Sequence, residues 1–148
     1  MNVYLRNALA VIVGFVIGSI VNMTLVNIGP HVVPLPEGAD VSTAEGLKAS
    51  MKLFKPINFL FPWLGHALGT LVGAFCAAKL AKSQSLGMAM VLGAMFMLGG
   101  LMMIMMLGGP PWFVAVDLLV AYLPMAYLGG ILATGRQKRS DNGTNLQS

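Results

Sequence analysis

Four runs of about twenty apolar residues constrain this chain more than any other feature. A hydrocarbon layer of about 30 Å takes roughly 20 helical residues to cross. The runs cover about residues 8–28, 62–81, 86–107 and 112–134 of 148. Only 9% of the residues are charged, against about a quarter in a water-soluble domain. So little charge cannot cover a surface facing water, so the partner of most of this surface is expected to be the lipid bilayer. The expected fold class is all-α: an integral membrane four-helix transmembrane bundle, a single domain over 1–135, followed by a disordered polar tail over 136–148. The first run follows Arg6, as a signal peptide would follow a basic residue. It is too long for that, and no small-x-small site comes after it, so it reads as a retained first helix.

The basic residues set an orientation. Arg6, Lys79, Lys82, Arg136, Lys138 and Arg139 flank the runs on one side. Lys48, Lys52 and Lys55 lie on the other, offset by Glu37, Asp40 and Glu45. Short cytoplasmic flanks carry the excess of Lys and Arg, which predicts cytoplasmic termini and an external loop over 29–61. Trp63 and Trp112 then both fall at the outer interface. The size and pattern are those of small four-span proteins of a bacterial inner (plasma) membrane. A formal charge of +4 placed at helix ends forms no basic patch for nucleic acid. Cys76 is the single cysteine, which excludes an intramolecular disulfide and a cysteine-cluster metal site.

Within the external loop, the stretch from His31 to Pro36 is expected to be extended, because its prolines restrict it. Ser42, Thr43, Ala44 and Glu45 then form a capping box, predicting a helix that starts near Thr43. Leu47, Met51 and Phe54 recur on one face, and Lys48, Lys52 and Lys55 repeat one residue on. This is a short amphipathic surface helix, expected flat on the outer membrane face and ended by Pro56.

Small residues recur at four-residue spacing. Gly65, Gly69 and Gly73 form one row, continued by Ala77. Gly14 and Gly18 form another, with Asn22 next in it. Such stripes bring two helix backbones into contact where lipid supplies no hydrophobic drive. Helix packing between the first and second spans is the expected use, and packing in a homo-oligomer or against other membrane proteins is open to the same rows.

Ionisable groups inside spans are costly and point to function. His66 and Asp117 are the two, one in the second span and one in the fourth. At about 1.5 Å per residue, both lie roughly 6–8 Å inside the outer ends of their spans. Asn22, Thr24 and Asn27 come to similar depth from the first span. Thr70 lies one turn below His66, and Tyr122 is too deep for an interfacial belt, so its hydroxyl needs a partner within the bundle. These residues make a candidate polar site. His66 and Asp117 are expected to point inward, within reach of each other or of Asn22. Interhelical glue and a transport or binding role both remain open. Hydrolytic chemistry of the triad type is not expected, since no serine in these two spans offers a nucleophile. The third span is rich in methionine, and Met102 and Met106 are one turn apart. However, the sulfurs surround the helix and no histidine joins them, so neither a metal nor any other cofactor is expected. Pro124 is expected to kink the fourth span and free the carbonyl of Val120.

The functional expectation is a permease or channel-like protein for a small solute or proton. The other class kept open is a non-catalytic accessory or scaffold subunit of a membrane complex.

Overall fold

The computed structural model describes residues 2–144, with side chains described over 2–135. These residues form helices and no strand. The long first helix, α1, is Val3–Val32. A roof segment follows, containing the short helix α2 (Ala44–Ser50) and two 3-10 turns, Met51–Leu53 and Pro56–Phe59. Then come α3 (Leu60–Leu80), α4 (Ser85–Leu107), α5 (Pro111–Val116), a π-helical turn (Asp117–Ala121) and α6 (Leu123–Thr144). Among the described residues, four spans are long and apolar enough to cross a membrane: Val3–Val32, Pro56–Leu80, Ser85–Leu107 and Pro111–Gly135.

Small residues, not large ones, fill the core. Ala67, Ala74, Ala77, Ala89, Ala121, Ala126 and Ala133 are buried, joined by Leu92, Phe96 and Tyr122. Large apolar side chains point outward on every span: Ile20, Leu68, Leu98, Met105 and Leu119 are all exposed. A water-soluble bundle has the opposite arrangement.

Helices α1 and α3 run antiparallel in a glycine seam. A Cβ on Gly14 would stand 2.5 Å from the Gly73 carbonyl oxygen, and one on Gly18 would stand 2.5 Å from that of Gly69. The relation is reciprocal, with 2.7 Å from Gly73 to Gly14 and from Gly69 to Gly18. In each case the glycine hydrogen that replaces Cβ faces a carbonyl, the geometry of a Cα–H···O contact. Asn22 takes the third place in the row, opposite Gly65. Further glycines do the same elsewhere. Gly93 meets Ala126, Gly129 meets the Leu71 carbonyl, and Gly130 meets Leu86 and Ala89. Gly129 and Gly130 thus wedge α6 between α3 and α4, a role their sequence position alone does not indicate.

The two ends of the bundle differ. At the terminal end, Asn7 of α1 clasps the α3–α4 turn. Its Oδ1 accepts from Lys82 N (3.0 Å) and Ser83 N (3.4 Å), and its Nδ2 donates to the Ser83 carbonyl and hydroxyl. Arg6 Nε donates to the Leu80 carbonyl, supplying a partner at the C-terminus of α3. At the other end the roof segment crosses above the helices.

Several expectations change here. Helix α1 does not stop before Pro30 but continues through His31 and Val32, so the first two residues of the His31–Pro36 stretch are helical, while Val33 is extended as expected. The α2 cap is Thr43, whose hydroxyl accepts from Gly46 N at 3.0 Å. Ser42 is diverted, donating through both its N–H and its hydroxyl to Asp40 Oδ1. The α2 segment does not lie apart from the bundle. Leu47, Met51 and Phe54 face down into a cavity walled by α1, α3 and α4, because that cavity offers its apolar face a better partner than an open surface. Trp112 is exposed, but Trp63 packs on the core with Nε1 enclosed and without a partner. Helix α6 runs on to Thr144, past Arg136 where the sequence predicts a disordered tail. Residues 145–148 of that tail, and all its side chains, lie outside the described residues.

Candidate functional site

Beneath the roof lies a partly enclosed chamber of about 330 Å3. Its walls are apolar, from Val26, Phe61, Met103, Ile104 and Phe113, and its floor holds His66 and Asp117. The floor depends on a local accident of the fourth span. Proline at 124 has no N–H for the Val120 carbonyl and its ring crowds that turn. The helix widens there into the π turn Asp117–Ala121, and Tyr122 takes φ −110° and ψ −83° before α6 begins. In an α-helix, residues five apart diverge by about 140°. A π turn bonds i to i+5, so residues five apart fall on one face. Asp117 and Tyr122 are five apart, and the widened turn is what brings them together. The expected consequence of Pro124 was a kink; the finding is a widened turn that builds the site.

Three side chains meet at this point. His66 Nδ1 lies 2.8 Å from Asp117 Oδ1. The Tyr122 hydroxyl donates to Asp117 Oδ2 at 2.8 Å and lies 3.0 Å from His66 Nδ1. The imidazole and phenol rings are near parallel, with centroids 5.7 Å apart. Gly100 of α4 makes room, since a Cβ there would collide with the Tyr122 hydroxyl. The Asp117 side chain is 2% exposed and that of His66 23%, so the histidine is the more open of the pair. With Asp117 as a carboxylate accepting from both neighbours, Nδ1 would carry the proton and Nε2 would be the acceptor. Nε2 has no protein partner among the described residues, and it is not among the enclosed orphan atoms. The three side chains thus form one hydrogen-bonded cluster at the chamber floor.

The other candidates are placed differently. Asn22 sits on the glycine seam, with Oδ1 enclosed and unpartnered. Thr70 is fully buried, and its hydroxyl also lacks a partner. Thr24 and Asn27 do not join the cluster. Each is on the exposed side of α1 and bonds back to its own helix, to the carbonyls of Ile20 and Met23 at 2.7 Å. A polar side chain with no interhelical partner satisfies itself in this way. Asn27 still touches the chamber wall. Gly14, Gly18, Gly65, Gly69 and Gly73 form the seam described above. Sequence reasoning missed Gly100, although Gly93 and Gly100 stand seven residues apart on one face of α4. It missed Asn7 as well, whose only signal is an amide at the start of an apolar run. Among the described residues, no cluster of three or more His, Cys, Asp or Glu could hold a metal.

Comparison with protein-family models, curated proteins and solved structures gives no match, so the geometry of the chamber and its floor carries the functional argument.

Proposed function

We propose that this chain is an integral membrane protein of a bacterial inner membrane and acts as a permease for a small solute. Its termini are cytoplasmic and its roofed end is external. Two observations support insertion and orientation. Bulky apolar side chains face outward on all four spans. Arg6, Lys79 and Lys82 gather at the terminal end, while the roof balances its lysines with acids. Labelling of a Ser42→Cys variant from outside intact cells, in a Cys76→Ala background, tests this. Protection at 42 together with external labelling at Ser140→Cys would reverse the orientation.

The observation that carries the functional reading is the chamber that ends on a protonatable cluster. Below the cluster, Ala74, Ala77, Leu92 and Phe96 close the core, which favours a binding site with alternating access over a continuous pore. A span broken beside its polar residues is a recurring feature of transporters. In this reading the solute enters under the roof, and His66 exchanges a proton with it or alongside it. Proteoliposomes containing a pH-sensitive dye and challenged with a panel of small solutes provide the test. Solute-driven proton movement that disappears in Asp117→Asn is the expected result. Binding without any proton movement, equal in the variant, would refute proton linkage.

One observation favours the accessory reading. The outward face of α1 bears a groove lined by Ser19, Thr24 and Asn27 among apolar neighbours, a surface suited to another membrane helix, from a second copy or from another protein. Purification in mild detergent with identification of co-purifying chains tests it, and a monomer without partners would remove it.

A further inference from the structure

The side chains around the chamber restrict the chemistry of what it holds. Asp117 is sealed, with both carboxylate oxygens engaged by His66 and Tyr122. Asn58 is turned to the roof: Oδ1 accepts from Lys55 N and Nδ2 donates to the Pro34 carbonyl. Asn27 has turned its Nδ2 back on Met23. The side-chain nitrogen and oxygen atoms left without any partner among the described residues are Asn27 Oδ1 on the wall and His66 Nε2 on the floor. No Lys or Arg lines the chamber. A permanent anion would therefore lack a counter-charge, and a cation would find no open carboxylate. A polyol would leave most of its hydroxyls unpaired against apolar walls, which is unfavourable for each one. A volume of about 330 Å3 is at the small end of ligand sites.

Resting on the reading of the chamber as a binding site, we infer that it takes a compact apolar molecule with one weakly acidic hydroxyl, of the phenol class, which donates a hydrogen bond to His66 Nε2. The apolar body lies against Leu47, Met51, Phe54, Ile104 and Phe113. Asp117 holds the ring in the one tautomer that leaves Nε2 able to accept. Tyr122 closes the far side of the carboxylate, so the ligand competes with no protein donor.

The test uses the full chain in detergent micelles with 15N-labelled histidine, His31 being assigned through a His31→Gln variant. The probes are 4-pentylphenol, pentylbenzene, octanoate and pentyltrimethylammonium. Before any addition, His66 is expected to show a protonated Nδ1 and a bare Nε2. 4-Pentylphenol should shift the Nε2 resonance and raise the thermal midpoint. Pentylbenzene, which lacks the hydroxyl, should bind about tenfold more weakly, the effect of leaving a buried acceptor unpaired. His66→Phe should remove this preference; if that variant fails to fold, the resonance shift in the wild-type chain decides. The reverse tautomer would overturn the inference. So would equal binding of phenol and hydrocarbon, or tighter binding of octanoate or the ammonium, although in those cases the chamber still stands as a binding site. If no probe binds, the phenol class is excluded, and the solute panel in proteoliposomes separately decides whether the chamber binds anything.

Discussion

The terminal end of the bundle is tied shut through Asn7, which joins α1 to the turn between α3 and α4 by side-chain hydrogen bonds. The roofed end is held open: α1, α3, α4 and α5 surround a chamber, and the segment containing α2 spans it. Between them runs the glycine seam, whose backbones nearly touch. Both ends are made from the same helices, so the contrast does not come from helix propensity. It comes from side-chain volume along the row. Gly14 and Gly18 allow close approach, while beyond Asn22 the wall residues are Val26 and Pro30, which are large. The polar groups divide in the same way. Asn7 satisfies backbone groups and has no freedom left, whereas His66 keeps one nitrogen free.

The largest effect is expected at the seam. Replacing Gly69 with Leu places a side chain where Cβ alone would be 2.7 Å from a backbone oxygen. The helices must separate, and overpacking of this kind costs about 1–3 kcal/mol, occasionally more. A thermal melt in detergent that matched the wild type would break the distinction between seam and chamber.

Asp117→Asn is expected to come next. The amide can accept from one neighbour but must offer a donor to the other, so one of the two 2.8 Å contacts is lost. A buried polar group left unpaired costs about 1–3 kcal/mol. A functional cluster predicts more than this: lost proton coupling with the fold intact. Pure interhelical glue predicts a lowered melt and nothing else.

Asn7→Ala should act at the opposite end and cost about 1–2 kcal/mol through the freed groups of Lys82 and Ser83. Amide exchange should quicken at 82–83 and stay unchanged around the chamber. Faster exchange at both ends would show that they are not independent.

The smallest effects belong to the roof. Thr43→Ala removes the α2 cap, worth about 1 kcal/mol locally, and should loosen the cover without melting the bundle. Ser42 donates to Asp40 with both its hydroxyl and its backbone N–H, holding that carboxyl below its ordinary value of 3.8. Since the folded value is the lower one, this contact supports the roof at pH above 3.8 and is lost as pH falls through the lowered value. Protection of the Ser42 amide, relative to its intrinsic exchange rate, should fall only in acid. A fall in protection near neutral pH would show that another group controls the roof.

The number of apolar helices, the pairing of α1 with α3 and the shared depth of His66 and Asp117 were legible in the sequence. Each follows from a regular helical repeat: about 20 residues per crossing, small residues at i and i+4, and about 1.5 Å of rise per residue. A repeat fixes depth and face as long as the helix stays regular. Tyr122 joins the cluster because the helix is not regular there. Pro124 marks the site of the disturbance, but a missing N–H can be absorbed as a kink or as a widened turn, and only the packing of α6 against α3 and α4 selects between them. The cap at Thr43 instead of Ser42 was decided the same way, since Asp40 competes for Ser42 within the folded loop. The chamber is wholly tertiary. Its lining comes from α1, α3, α4 and α5 and from the loop that folds back across them, and no local pattern of residues encodes the distance between parts that meet only on folding.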